Sequence, residues 1–131
     1  MGKPTILLAD DDPALLENIT KLLEPEFEVV ACVSHGHALI GAAKALLPDL
    51  ILTDISMPLL SGFQAIRRVK ADQPNARVIF LTVHTEPAFV AEAMRMGALG
   101  YVVKMCIPSH LIPAIREVLQ DRPLVCTSLP Q

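Results

Sequence analysis

Short apolar runs recur along the chain at fairly even intervals, and between them apolar residues fall at helical spacing. The runs are Thr5-Ile6-Leu7-Leu8-Ala9, Val29-Val30-Ala31-Cys32-Val33, Leu50-Ile51-Leu52-Thr53, Val78-Ile79-Phe80-Leu81-Thr82 and Gly100-Tyr101-Val102-Val103. Each is apolar at consecutive rather than alternate positions and ends in polar or turn residues. That pattern predicts strands buried on both faces, as in a parallel sheet. Leu15, Ile19, Leu22 and Leu23 share one helical face; so do Leu39, Ala42, Ala43 and Leu46, and again Leu111, Ile115, Val118 and Leu119. Asp12-Pro13 sets a capping residue before a first-turn proline, and Glu86-Pro87 is similar. Pro48 and Gly97 stand where the second and fourth helices should stop. Pro113 is expected close to the start of the last helix, where a missing N–H costs little.

Strand and helix alternating in this way predict an α/β fold: a doubly wound, five-stranded parallel sheet with right-handed crossovers and helices on both faces. Residues 1–120 form the domain. Residues 121–131 lose helical periodicity and contain Pro123 and Pro130, which reads as a linker or C-terminal tail.

Composition narrows the class. With 131 residues, 52% hydrophobic and 19% charged, the chain suits one domain and is too apolar for disorder. Three cysteines without C-x-x-C spacing argue against a disulfide scaffold or a cysteine zinc site and favour a reducing, cytoplasmic setting. No run of about 18 apolar residues predicts a membrane span, and acidic residues come too early for a signal peptide. A net charge of −3 gives this chain no electrostatic reason to bind nucleic acid.

The chemistry-bearing residues follow the strands. Asp10, Asp11 and Asp12 come after the first run, Asp54 after the third, Thr82 ends the fourth, and Lys104 follows the fifth. If the first and third strands are neighbours, their trailing carboxylates converge on one edge of the sheet, where such folds bind ligands. Crowded carboxylates raise one another's pKa, and a divalent cation relieves them; an all-oxygen donor set suits Mg²⁺. A carboxylate in such a site can also accept a phosphoryl group as a nucleophile, with Lys104 neutralising charge and the Thr82 hydroxyl donating to a phosphoryl oxygen. The Asp cluster reads equally, on its own, as a helix cap ahead of Pro13.

Taken in order, Ile6 to Asp11, Asp49 to Pro58, Leu60-Ser61-Gly62, Ile79 to Thr82 and Gly97 to Lys104 resemble the receiver domains of two-component response regulators, over essentially residues 5–120. Receivers of this kind have the flavodoxin-like strand order 2-1-3-4-5. The resemblance implies Asp54 as the phosphoacceptor. It implies a magnesium ion bound directly by Asp11 and Asp54, through water by Asp10, and by the main-chain carbonyl of Ser56. Thr82 and Tyr101 would form the switch pair, Lys104 would contact the phosphoryl group, and a sensor histidine kinase would be the donor. On this reading the chain is a regulatory phosphoacceptor rather than an enzyme. The stretches Leu81 to His84, Ile112 to Leu119 and Leu124 to Ser128 look most like receivers joined to helix-turn-helix DNA-binding domains of the LuxR type. Such a receiver would switch transcription through an output domain that this chain does not contain.

The pattern departs from the family in places. Val83 follows the switch threonine where many receivers have alanine or glycine, which predicts narrower access. Met105 replaces a frequent proline, which argues against the family's usual cis peptide there, since non-proline cis bonds are costly. Ser56 and His84 occupy the two positions that vary within the family and tune dephosphorylation. Phe89, Val90, Met94 and Met96 give the fourth helix apolar material for a homodimer built on that helix, the fifth strand and the fifth helix.

Two other functions fit parts of the chain. Asp10 and Asp12 form the Asp-x-Asp of a haloacid-dehalogenase-type phosphatase, without the glycine-threonine that usually follows. A flavin-binding electron carrier shares the fold type but needs a phosphate-cradling loop that is not found after the first run. His35 and His37 read as surface histidines, Arg67, Arg68 and Lys70 as a solvated face, and Cys32 and Cys106 as small buried hydrophobes.

Overall fold

The computed structural model describes residues 2–128. In chain order these form β1 (Thr5–Ala9), α1 (Pro13–Leu23), β2 (Glu28–Val33), α2 (Gly36–Leu46), β3 (Leu50–Thr53), α3 (Gly62–Asp72), β4 (Val78–Thr82), α4 (Pro87–Arg95), β5 (Gly100–Val103), α5 (Ile107–Leu119) and β6 (Leu124–Cys126). A 3-10 turn, Lys104–Cys106, joins β5 to α5. The sheet order is β2-β1-β3-β4-β5-β6, and every pairing is parallel. All residues of β3, β4 and β5 are buried. Successive strand residues point to opposite faces, so burial of every one means that both faces are covered. The core is continuous from Ile6 and Leu8 through Leu52 and Phe80 to Val102 and Ile115.

The sheet has six strands rather than the expected five. The extra one, Leu124–Cys126, comes from the segment read as a linker or tail. Its first N–H donates to the Leu99 carbonyl at 3.0 Å, and Leu124 pairs with Gly100. Three residues behind Pro123 are too few to show a period, which is why the pattern passed over them.

Helix ends follow local chemistry. The Asp12 carboxylate accepts from the N–H groups of Ala14 and Leu15 and caps α1. Ser61 and Gln64 form a reciprocal capping box at the head of α3. Glu86 stands at the cap position of α4 without a side-chain hydrogen bond to the helix. At the other end of α4, Gly97 takes φ 91°; its N–H reaches the Met94 carbonyl and that of Ala98 reaches Ala93. This 6→1 and 5→2 pair is the Schellman closure, and it needs a residue tolerant of left-handed backbone.

Two expectations need correction. Pro113 is not near the start of α5 but at its middle, because the 3-10 turn runs straight into a helix that begins at Ile107 with Pro108 in its first turn. The carbonyl that Pro113 leaves without its i+4 donor belongs to Ser109, and both residues are exposed, so water can satisfy it. Cys32 is exposed rather than buried: β2 is an edge strand, and Cys32 Sγ reaches Thr20 Oγ1 of α1 at 3.5 Å without being covered. Cys106 is fully buried, as expected. Among the described residues no peptide bond is cis, the Lys104–Met105 bond included.

One glycine controls how the loop after β3 is seated. A Cβ on Gly62 would stand 2.0 Å from the Asp54 carbonyl oxygen, while the Gly62 N–H donates to the Ile55 carbonyl at 2.7 Å. The head of α3 therefore lies directly on the backbone of Asp54. Gly62→Ala must push the two apart. It is expected to lower stability by about 1–3 kcal/mol, the usual cost of overpacking, as read from the midpoint of chemical denaturation.

Candidate functional site

The sheet register builds the site. Ala9 of β1 pairs with Thr53 of β3, so the residues that follow, Asp10 and Asp54, leave adjacent strands side by side. The ladder runs one step further into each loop: the Asp10 N–H donates to the Val33 carbonyl and that of Asp54 to the Ala9 carbonyl, both at 3.0 Å. Carboxylate oxygens of Asp10, Asp11 and Asp54 consequently lie within 4.8 Å of one another. Asp10 and Asp54 are buried and Asp11 is exposed. Lys104 leaves β5 at the same rim and bridges the buried pair, with Nζ 2.9 Å from Asp10 Oδ2 and 3.0 Å from Asp54 Oδ2. The other Asp54 oxygen, Oδ1, accepts the N–H of Ile55 at 2.7 Å.

Burial pushes the Asp10 carboxyl above its ordinary value, against the opposing effects of the Lys104 ammonium and the Asp12 N–H. Burial works to lower Lys104, but its close pairing with Asp10 and Asp54 outweighs that and holds the ammonium above its ordinary value. The cation is therefore fixed in its charged form. Three carboxylates around one ammonium still leave an excess of negative charge. Asp10 Oδ2 is buried and receives no directed hydrogen bond, since Lys104 approaches it off the hydrogen-bonding direction. An all-carboxylate cluster with an exposed third member, in which one buried oxygen has only the Lys104 ion pair, fits a hard divalent cation such as magnesium.

The remaining sequence-derived residues line the same rim. Thr82 is buried at the end of β4, and its Oγ1 accepts the His84 N–H at 3.3 Å. Tyr101 lies inside the fold, with its hydroxyl donating to the His84 carbonyl at 2.8 Å. Burial, with the nearby negative charges of Glu86 and Asp54, pushes this phenol up to about 12, so it is a donor at any physiological pH. Thr82 and Tyr101 thus hold the same backbone segment from two sides. Val83, which follows Thr82, is 66% exposed. Ser56, on the loop after Asp54, is exposed.

Some of the site's construction is not visible in the sequence. Ser56 Oγ and His84 Nε2 are 2.8 Å apart, a bridge between the loops after β3 and β4. The His84 ring stacks on Phe89 at 4.4 Å, Phe89 stacks on Phe63, and Phe63 meets Phe80 edge-on at 5.1 Å. An aromatic column therefore runs from the rim to the centre of the sheet. The resemblance names these two positions together as tuning dephosphorylation; the structure adds that their side chains meet. Beside them a shallow groove of about 670 Å³ extends from Asp11 and Ser56 to Phe63 and Phe89.

Other candidates have local duties. Asp12 is occupied in capping α1, which leaves the Asp-x-Asp of the phosphatase reading without its acid. His35 Nδ1 accepts the Ala38 N–H and caps α2. Arg67 pairs with Glu92 and ties α3 to α4.

The raised pKa of Asp10 has a definite sign for stability. An acid lifted above its usual 3.8 by folding contributes fully below that value, and its contribution is lost as pH rises through the lifted one. Without divalent cations, Asp10→Asn is therefore expected to melt a few degrees above the unaltered chain at pH 7, an effect of about 1 kcal/mol. The difference should shrink as pH falls through the raised value of Asp10 and vanish below about 4. Differential scanning calorimetry in chelator checks both.

Comparison with known proteins agrees with this geometry. The response regulator receiver domain family matches residues 6–116. The chain is 34% identical over 127 residues to a Bacillus subtilis protein described as the uncharacterized transcriptional regulatory protein YxjL, covering 95% of this chain and 58% of that protein. It is 31% identical over 128 residues to the response regulator UvrY of Escherichia coli K12, covering 96% and 59%. The chain thus spans a little under three-fifths of these curated relatives. Among solved structures, a LuxR-family two-component response regulator from Aurantimonas sp. SI85-9A1 superposes with a TM-score of 0.90 at 30% identity, covering 96% of this chain and 91% of that one. The receiver domain of the putative response regulator NarL from Mycobacterium tuberculosis gives 0.87 at 29%, covering 93% and 100%. The chain belongs to the response regulator receiver domain family, and its relatives are response regulators of the LuxR and NarL type.

Proposed function

We propose that this chain is a phosphorylation-controlled switch in which Asp54 accepts a phosphoryl group from the phosphohistidine of a sensor kinase. The observation that carries the reading is the convergence of Asp10, Asp11 and Asp54 on one rim with Lys104 bridging two of them. An oxygen of Asp54 forms the new bond to phosphorus as the bond to the kinase imidazole breaks, and the imidazole leaves with a proton. Asp11, Asp54, the main-chain carbonyl of Ser56 and, through water, Asp10 would hold a magnesium ion, which supplies positive charge to the transferring phosphoryl oxygens. Lys104, already poised between two carboxylates, turns to a phosphoryl oxygen once Asp54 no longer carries its own charge. The Thr82 hydroxyl exchanges its contact with the His84 N–H for donation to the same group, and the Tyr101 ring holds the segment behind it.

The readout surface is the face of α4, β5 and α5. Only Ala93 of α4 is fully buried, so this helix is held less firmly than its neighbours, and Val90 and Met94 remain half-buried on it. Such an element is suited to a two-state response. A homodimer through this face, in a cytoplasmic regulator whose output is transcription, is consistent with relatives described as transcriptional regulators. It is also consistent with a similar structure described as two RcsB dimers bound to two parallel DNAs. No helix among the described residues is long and apolar enough to cross a membrane.

Incubation with acetyl phosphate and magnesium is expected to add one phosphoryl group per chain, read by intact mass. Asp54→Asn should abolish the addition. Labelling that survives in Asp54→Asn but is lost in Asp10→Asn would replace this reading with the phosphatase one. Beryllofluoride with magnesium should shift elution on a sizing column toward twice the mass; unchanged elution would remove the dimer from the proposal.

A further inference from the structure

A second cluster of ligating side chains lies at the edge of the sheet formed by β5 and β6. Donor atoms of Cys106, His110 and Cys126 all lie within 4.8 Å of one another. Cys106 is fully buried, Cys126 is 6% exposed and His110 is half-buried. Three elements supply them. Cys106 ends the 3-10 turn, and His110, four residues on, is stacked above it at the head of α5. Cys126 arrives opposite Val102 in the β5–β6 ladder.

We propose that Cys106, His110 and Cys126 form a binding site for a soft divalent cation of the zinc class, with water as a fourth ligand. Two sulfurs and one imidazole nitrogen are the donor set zinc prefers, and they differ sharply from the oxygen-only cluster at the opposite side of Lys104. At zinc–sulfur and zinc–nitrogen distances of about 2.3 and 2.0 Å, neighbouring tetrahedral donors stand roughly 3.3–3.8 Å apart. The cluster therefore has to contract by no more than about 1.5 Å, which side-chain rotation supplies. Ser109 Oγ lies 2.8 Å from Nδ1 of His110, so an imidazole ligating through Nε2 would have its other nitrogen already partnered. Cys126 Sγ makes a 3.4 Å contact with the Ser128 carbonyl. Burial and the neighbouring Cys126 push the Cys106 thiol up to about 11. Cation binding must then displace thiol protons, so affinity should rise with pH.

Cobalt titrated into the reduced chain, with excess magnesium present to occupy the carboxylates, tests this. Expected are one bound cobalt per chain, a thiolate-to-metal charge-transfer band in the near ultraviolet and tetrahedral visible bands, all removed by added zinc. Zinc should raise the melting temperature. Cys126→Ser should remove the charge-transfer band, and His110→Ala should weaken binding at least about tenfold. The half-buried histidine keeps the test decisive should the cysteine variant fail to fold. Absence of the band in the unaltered chain overturns the proposal. So does a band that is undiminished in Cys126→Ser, which would assign it to exposed Cys32, or unchanged affinity in His110→Ala.

Discussion

One half-buried cation held between two buried carboxylates governs this molecule. Lys104 Nζ sits about equally far from Asp10 and Asp54, and burying carboxylates is costly unless they are paired. Everything that places these groups is backbone: the β1–β3 register aligns the two acids, and the order β3-β4-β5 sets the lysine two strands away from Asp54. The sheet is rigid because both of its faces are packed. The charges at its end are imperfectly balanced because three acids share one ammonium. A stiff scaffold carrying an unresolved electrostatic load is what a site needs if adding a single group is to rearrange it.

Such a rearrangement would have a route. The His84 backbone is gripped by Thr82 on one side and Tyr101 on the other, while its ring joins Ser56 to the Phe89–Phe63–Phe80 column. A change in what Thr82 bonds to therefore reaches the loop leading into α4 directly. That helix has one fully buried residue, whereas α5 has four. A coupling along this path would run from the carboxyl end of β4 to the helix with the fewest buried residues, which is where a small displacement costs least.

Much of this was legible from residue order because buried parallel strands leave a strong signal. Apolar runs marked the five strands to within one residue, and Asp10, Asp54 and Lys104 follow their strands directly. What escaped had a physical reason each time. A three-residue strand has no period to detect, so β6 was read as a tail. Cys32 belongs to an apolar run, yet an edge strand exposes one side of such a run. Pro113 looked like a helix start because proline favours first turns, but Pro108 already holds that position and the freed carbonyl faces water. The Ser56–His84 bridge and the Cys106–His110–Cys126 cluster join residues 28 and 20 positions apart at their ends, and no local pattern announces either pairing.

The sixth strand changes the direction in which the polypeptide departs. A chain ending with α5 would finish at the amino ends of the strands, remote from the acids. Because β6 runs parallel to β5, it carries the backbone back along the sheet, and Cys126 stands level with Val102, two residues before Lys104. The last described strand therefore points its carboxyl end toward the same end of the sheet as Asp10, Asp54 and Lys104, not toward the opposite end where α5 finishes.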